Sequence, residues 1–237
     1  MPLLDVFEKI NSEYYQLTSA EKKVADYAVI HQQQTQFMSI SELAEEDSVE
    51  GMCRAVYRSN AEALAQTLEL IQPDGVRKAA DMIISAGRVL CMGQGGSMIL
   101  SQECAHLFST IQLNFVAVMD SHLQAIAASQ LTPGDLVIYF SYSGSTKELM
   151  KNLQIIRDRK ARIILITRFP KSPGAAYADI VLQCGSREGP LQGGSVAARI
   201  AQLYLMDVLF HEVCRRDREG CRARQELVAE VLSDKHI

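Results

Sequence analysis

Short apolar runs alternate with longer amphipathic stretches from about residue 73 to residue 215. The runs have the length of buried strands, and the stretches between them repeat apolar residues at the helical period. Continuous apolar strands separated by helices are typical of a parallel sheet that is covered on both faces. We therefore predict an α/β fold, a five-stranded parallel sheet flanked by helices, with strands at residues 88–92, 115–118, 136–140, 162–167 and 180–183.

The chain before this alternation has the helical period alone. Thr18–Glu21 and Ser39–Glu42 each carry Ser or Thr three residues ahead of Glu, which is the pattern of a capping box. We predict a small all-α segment at residues 1–49, a linker helix at 50–72, the sheet domain at 73–215 and a helical tail at 216–237. In the tail, Leu227, Val228, Val231 and Leu232 predict a last amphipathic helix.

Composition excludes several classes of protein. The 237 residues are 48% hydrophobic with a formal net charge of −4, which argues against a surface that coats nucleic acid. No apolar run approaches a membrane span, and the N-terminus lacks a basic region followed by an apolar block, so we expect no membrane partner. The six cysteines form no C-x-x-C pair and have no spacing typical of metal ligands. We therefore expect a cytoplasmic, reducing setting and no metal.

Two polar turns with glycines follow predicted strands. Gly93–Ser97 follows the first strand and Ser141–Thr146 the third, and a helical pattern begins after each. Ligands of open parallel sheets bind outside the carboxyl ends of the strands, where the unpaired N–H groups and the dipole of a helix favour an anion. One hydroxyl is enough to cap a helix, but Ser141, Ser143 and Thr146 supply three. The Ser141–Thr146 turn is therefore predicted to bind phosphate.

The Gly93–Ser97 turn invites comparison with the dinucleotide fingerprint G-x-G-x-x-G. Met98 occupies the third glycine position, and no acidic residue follows a second strand at the spacing of a ribose contact. No Walker A lysine pattern is present either, so we expect no nucleotide and no cofactor. Taken alone, the turn is better explained by the backbone freedom that a tight turn needs than by a ligand site. Together with the Ser141–Thr146 turn, ligand binding is the favoured interpretation.

Asp120-Ser121-His122 follows the second predicted strand and lies at the same edge of the sheet. The three residues could face sugar hydroxyls or cap the next helix. Capping by Asp120 or Ser121 is the favoured interpretation for at least one of them.

The Ser141–Glu148 stretch resembles the S-x-S-G-x-T loop of the SIS (sugar isomerase) domain family. Gly93–Ser97 resembles the first ligand loop of that family, and Ser172–Val181 resembles its "SPLAKLADIV"-like segment. The similarity extends from about Val56 to about Arg215. The resemblance implies a phosphosugar site, with the phosphate at the third-strand loop, further contacts from the first loop and an acidic residue before the last helix: Gly95, Ser97, Ser141, Ser143, Ser145, Thr146 and Glu188.

The N-terminal pattern LTSAEKKVADY…MSISELAEE resembles the start of the helix-turn-helix domain in RpiR-type transcriptional regulators, which join that domain to a SIS domain. Here Glu45–Glu50 passes straight into Met52–Arg58, so the turn and the recognition helix have no visible counterpart. Residues 1–49 hold three lysines, no arginine and nine acidic residues, a formal charge of −6, whereas DNA contacts need cations. An omitted internal stretch and a genuine deletion both remain open.

The resemblance implies a DNA-binding regulator of sugar metabolism whose SIS domain binds a phosphosugar effector. DNA is expected as a partner only if the recognition helix is present in the intact protein, and a homodimer or homotetramer is expected. No catalytic residue is predicted. The alternative is a phosphosugar isomerase, and a stand-alone sugar-phosphate-binding protein is a third possibility. An isomerase needs a base, for which the candidates are Glu188, His106, His122 and His211; of these, His106 and His211 fall within helices and are predicted to be packing residues.

A mixed charge run, Arg215–Arg224, lies near the C-terminus. It could contact DNA or form the solvated end of a helix, where cations face the negative end of the helix dipole. The helix end is the favoured interpretation.

Overall fold

The computed structural model describes residues 48–112, 114–185 and 195–233, together with Lys22, Lys23 and Ala25. The chain divides into two compact units, and the larger one, which carries the sheet, begins at Glu62. Apart from Lys22, Lys23 and Ala25, the helix-turn-helix-like pattern lies outside the described residues, and so do both of its capping boxes.

The described part alternates strands and helices as the apolar pattern predicts. Each strand matches its predicted range to within one residue at either end. The elements, in chain order, are α1 (Val49–Leu70), α2 (Pro73–Ile84), β1 (Arg88–Gly93), α3 (Ser97–Ser109), β2 (Phe115–Val118), α4 (Ser121–Ser129), β3 (Asp135–Phe140), α5 (Lys147–Asp158), β4 (Arg162–Thr167), a 3₁₀ helix (Pro173–Tyr177), β5 (Ile180–Gln183), α6 (Val196–Arg216) and α7 (Arg218–Ser233).

The five strands form one parallel sheet in the order β2-β1-β3-β4-β5. The chain moves outward from β1 to β2 and then returns to place β3 on the other side of β1. The strand order therefore reverses between β1 and β3, and such a switch point opens a crevice at the carboxyl ends of the two strands. Gly93 pairs with Phe140, so the loops that follow these residues begin side by side.

Both faces of the sheet are buried, and β3 is buried over its whole length. Alternate strand residues point into two separate cores, because successive side chains of a strand face opposite ways. One core joins β1 and β3 to α2, α3 and α6, through residues such as Cys91, Ile138 and Phe210. The other joins them to α4 and α5, through residues such as Met92, Tyr139 and Leu153. Burial of each large apolar side chain contributes about 1.5–3 kcal/mol, which holds the strand ends in fixed positions.

The amino edge of the sheet is tied together by charged side chains. Asp135, at the start of β3, accepts hydrogen bonds from Arg88 Nη2 at 2.9 Å and from the Thr132 backbone N–H at 2.7 Å. Burial would raise the pKa of Asp135, but the hydrogen bonds from Arg88 and Thr132 outweigh it and hold that pKa below its ordinary value. Asp179 similarly accepts the Ile163 N–H at 2.8 Å.

The two C-terminal helices correct the interpretation of the charge run. Arg215 and Arg216 do lie in the last turn of α6, as predicted, and hydrogen bonds from both lower the pKa of Glu212 to about 2. However, α7 begins at Arg218, so the rest of the run opens a helix instead of ending one. The prediction treated the run as one helix end, because the break at Asp217 leaves little trace in its charged surroundings.

Among the described residues, no helix combines the length and the apolarity that crossing a bilayer requires.

Candidate functional site

The Ser141–Thr146 loop connects β3 to α5 at the switch point of the sheet. Its three hydroxyl side chains share one feature: each accepts a hydrogen bond from a backbone N–H. Ser141 Oγ accepts from Gly144 N at 3.2 Å, Ser143 Oγ from Ser145 N at 3.4 Å, and Thr146 Oγ1 from Leu149 N at 3.4 Å. Each of these contacts uses an oxygen lone pair, so the hydroxyl protons are left for other acceptors.

The alternative explanation of these hydroxyls, helix capping, applies to one of them. Thr146 is the N-cap of α5, and its side chain accepts from the first turn of that helix. Ser141 is buried at 7% exposure and Ser143 is half-buried, and both hold the turn ahead of the cap. Ser145 and Thr146 are exposed at the mouth of the loop. Three hydroxyls therefore line one turn, and two of them are not needed as caps.

Gly144 gives this turn its shape. Its φ of +60° lies in the left-handed region, and a Cβ there would collide with Ser172 Oγ. The Gly144 carbonyl accepts a hydrogen bond from the Gly174 N–H at 2.8 Å, so the start of the 3₁₀ helix stabilises the turn. The buried Ser172 hydroxyl has no hydrogen-bond partner within the described part of the chain. The sequence motif around Ser172 therefore supports the loop.

The Gly93–Ser97 loop lies beside the first and opens α3. Gly95 has a φ of +55° and is exposed, with nothing near enough to contact an added Cβ. A Cβ at Gly96 would lie 3.2 Å from Arg199 Nη1, so the Arg199 guanidinium from the first turn of α6 borders this loop. Ser97, the first residue of α3, donates its N–H to the Gln94 carbonyl at 3.0 Å.

A direct hydrogen bond joins the two loops. Thr146 Oγ1 donates to Gln94 Oε1 at 3.3 Å, and Gln94 Nε2 donates to Gln124 Oε1 at 3.2 Å. Gln124 is fully buried on α4 and also contacts Tyr139 and Asn152. Sequence reasoning missed this cluster, although an amide on the apolar face of a helix is a signal that could have found it.

The electrostatics of the two loops favour an anion. The N-termini of α3 and α5 both lie at this edge, and residues 93–97 and 141–146 include no acidic side chain. Arg199 adds a cation at the border. Burial raises the pKa of Tyr139, below the loops, to about 12, so its hydroxyl stays protonated as a hydrogen-bond donor.

The structure brings six of the seven predicted site residues to one edge of the sheet: Gly95, Ser97, Ser141, Ser143, Ser145 and Thr146. Glu188 lies outside the described residues. Asp120 is the N-cap of α4 and accepts the Leu123 N–H at 2.8 Å, which confirms its predicted capping role. His122 is exposed in the first turn of α4.

The prediction that His106 and His211 are packing residues is wrong. Their side chains are 75% and 72% exposed, and they lie near the carboxylates of Glu103 and Asp207 on the same helices. Both face solvent because each occupies the polar side of its helix. The described residues contain no group of His, Cys, Asp and Glu side chains that could hold a metal ion.

Comparisons with known proteins agree with this architecture. The family model of the SIS domain matches residues 82–212. An uncharacterised HTH-type transcriptional regulator of Caldanaerobacter subterraneus is 31% identical over 195 residues, which is 82% of this chain and 69% of that protein. The HTH-type transcriptional regulator RpiR of Escherichia coli is 28% identical over 192 residues, 81% of this chain and 65% of that protein.

Solved structures share the fold. The Vibrio vulnificus NanR protein complexed with ManNAc-6P has a TM-score of 0.76 and 24% identity, over 98% of this chain and 100% of that one. The sugar isomerase domain of an RpiR transcription factor from Sphaerobacter thermophilus has a TM-score of 0.68 and 23% identity, over 76% and 98%. Phosphoheptose isomerase of Neisseria gonorrhoeae has a TM-score of 0.57 and 15% identity, over 70% of this chain and 99% of that one.

One alignment also bears on length. An HTH-type transcriptional regulator of Haemophilus influenzae aligns over 282 positions and 98% of this chain, at 22% identity. Because the chain has 237 residues, that relative contains stretches with no counterpart here.

Proposed function

The chain belongs to the family of HTH-type transcriptional regulators that carry a SIS domain, and we propose that its SIS domain binds a phosphorylated sugar, with the phosphate in the Ser141–Thr146 loop. The observation that carries this proposal is the common orientation of the three loop hydroxyls. Ser141, Ser143 and Thr146 all accept from backbone N–H groups, so each hydroxyl proton points away from the loop backbone. Ser141 and Ser143 retain their protons for a phosphate oxygen, whereas Thr146 donates its proton to Gln94 Oε1.

The loop offers a phosphate group both donors and a favourable field. The unpaired N–H groups at the start of α5 and the dipole of that helix stabilise an anion by about 0.3–1 kcal/mol, or up to about 2 kcal/mol where the site is partly buried. Hydrogen bonds to a charged acceptor contribute about 1.5–3 kcal/mol each. Together these contributions support phosphate binding without a cationic side chain in the loop.

The sugar is proposed to lie towards the first loop. Gly95 and Ser97 border that side, and Gly95 has the open space that close approach of a ligand to the backbone requires. Arg199 lies across the loop beside Gly96. Glu188 and His122 are proposed as further contacts to sugar hydroxyls. An amino-sugar phosphate is the first candidate, because ManNAc-6P is the ligand named in the NanR complex.

DNA binding is proposed for the intact regulator if it contains a recognition helix. The Haemophilus influenzae relative contains stretches with no counterpart here, and the acidic residues 1–49 lack the cations that DNA contacts need. Both support a DNA-reading element that lies outside this chain's described and matched residues. The effector would act by linkage: it shifts DNA binding only to the extent that it binds one arrangement of the protein better than another.

The test is an NMR titration of the purified chain with ManNAc-6P, glucose 6-phosphate and ribose 5-phosphate. We expect saturable binding of at least one compound and an affinity lowered about tenfold or more in Ser143→Ala, because one charged hydrogen bond is lost. Ser129→Ala is the matched control, since that hydroxyl donates to Ile126 O within α4. Equal affinities of wild type and Ser143→Ala would refute this site. New product peaks that grow with time would establish the isomerase alternative instead.

A further inference from the structure

The amide of Gln124 fixes the direction of a chain of hydrogen bonds below the two loops. Its Nε2 donates to the Gly93 carbonyl at 2.9 Å and to the Val118 carbonyl at 2.8 Å. A carbonyl oxygen can only accept, so the nitrogen of Gln124 must face these groups and its Oε1 must face the other way. Because Gln124 Oε1 can only accept, the Gln94 atom that faces it is the side-chain nitrogen.

This orientation determines the role of Thr146. With its nitrogen turned to Gln124, Gln94 presents Oε1 to the Thr146 hydroxyl, and that oxygen can only accept. Thr146 must therefore donate its single proton to Gln94. One of its two lone pairs accepts the Leu149 N–H. The Thr146 hydroxyl thus has no proton left for a third partner.

A bound phosphate makes the opposite demand. A phosphate ester near neutral pH carries close to two negative charges, and its oxygens act as acceptors. Thr146 can donate to the phosphate only by giving up the bond to Gln94. Resting on the proposed function, we propose that Gln94 competes with the ligand phosphate for the Thr146 proton, and that phosphate binding releases the Gln94 carboxamide from the Ser141–Thr146 loop. Gln94 is therefore a positioning residue that sets phosphate affinity.

The cluster is built so that this release leaves no buried polar group unpaired. Gln124 Oε1 accepts from three donors: Gln94 Nε2 at 3.2 Å, Tyr139 OH at 3.1 Å and Asn152 Nδ2 at 3.2 Å. Loss of the Gln94 bond still leaves two donors on an oxygen that has two lone pairs. Gln94 itself is half-buried, so solvent or the sugar can take up its freed oxygen. An orphaned buried amide would make such a release costly, and none is created here.

The test is a double-mutant cycle with inorganic phosphate as the probe, at about pH 8 where the dianion dominates. Gln94→Leu removes the competing acceptor, and we expect phosphate to bind about two- to tenfold more tightly than to wild type. In a Thr146→Val background the same change should give no gain, because no proton remains to be released. Gln154→Leu is the control: that side chain is exposed on α5 and donates to Asp158.

If Gln94 had a purely structural role, Gln94→Leu would weaken phosphate binding. The direction of the change in phosphate affinity therefore separates a structural role from competition for the Thr146 proton. Weaker or unchanged binding in Gln94→Leu, or an equal gain in the Thr146→Val background, overturns the proposal. Ser143→Ala tests the phosphate site independently. If Ser143→Ala weakens phosphate binding and Gln94→Leu does not tighten it, the site stands and the competition is wrong. If Ser143→Ala has no effect, the site itself is wrong.

Discussion

The two edges of one sheet use their polar side chains in opposite ways. At the amino edge, Asp135 is 6% exposed, and its carboxylate accepts hydrogen bonds from Arg88 and Thr132. At the carboxyl edge, the hydroxyls of Ser141 and Ser143 accept from the backbone of their own loop and keep their protons. The first arrangement satisfies its groups internally and so stabilises the fold. The second leaves donors at the crevice where the strand order reverses, and so favours a ligand.

The largest predicted effect is at the carboxyl edge. Gly144→Ala should lower the free energy of unfolding by about 3 kcal/mol and abolish phosphate binding, because a left-handed φ and a collision with Ser172 act together. Gly95→Ala is the matched control: it has a similar φ but open space, so it should cost about 1–2 kcal/mol. Urea denaturation would measure both. Equal destabilisation would mean that the contact with Ser172 does not shape the turn.

At the amino edge, Asp135→Asn should lower the free energy of unfolding by about 2 kcal/mol at pH 7 and leave phosphate affinity unchanged. The pKa of Asp135 is lowered in the fold, so its contribution is present above the unfolded pKa of about 3.9 and is lost as the pH falls through the folded value. The difference in the free energy of unfolding between Asp135→Asn and wild type should therefore become smaller at acidic pH. A change in phosphate affinity would show that the two edges are coupled.

Tyr139→Phe tests the cluster that supports the carboxyl edge, and we expect a loss of about 1 kcal/mol at neutral pH from the missing hydroxyl. Because the pKa of Tyr139 is raised to about 12, its contribution is complete below the unfolded value of about 10 and declines as the pH rises between these values. Stability curves of variant and wild type should converge over that range. Parallel curves would indicate that the Tyr139 hydroxyl is not shielded.

The smallest effect is expected at Lys160, between α5 and β4 at the amino edge. Lys160 is not glycine, yet its φ of +60° lies in the left-handed region. Helices commonly end with a residue in this conformation. Lys160→Gly should raise the free energy of unfolding by up to about 1 kcal/mol by removing that strain. Thermal unfolding would detect the gain, and a loss of stability would show that the Lys160 side chain makes a compensating contact.

The sequence predicts the strands well because a doubly covered sheet needs continuous apolar runs, and such a run is unambiguous in β3 (Asp135–Phe140). It also predicts the Ser141–Thr146 loop, whose hydroxyl residues all lie within one short stretch of the chain. Gln94, Gln124 and Asn152 escaped prediction because they lie far apart in sequence and meet only when α4 and α5 pack on the sheet. The boundary of α7 escaped because charged residues continue across it.

The most direct test of the central claim is a ¹H–¹⁵N chemical-shift map of the chain titrated with ManNAc-6P. The account predicts saturable shifts confined to the carboxyl edge, at residues 94–97 and 143–147, with the amide of Asp135 and that of Ile163 at the amino edge unmoved. The Gln94 side-chain amide should shift along with them. Saturable shifts centred on the amino edge, or no shift with ManNAc-6P, glucose 6-phosphate or ribose 5-phosphate, would contradict the account.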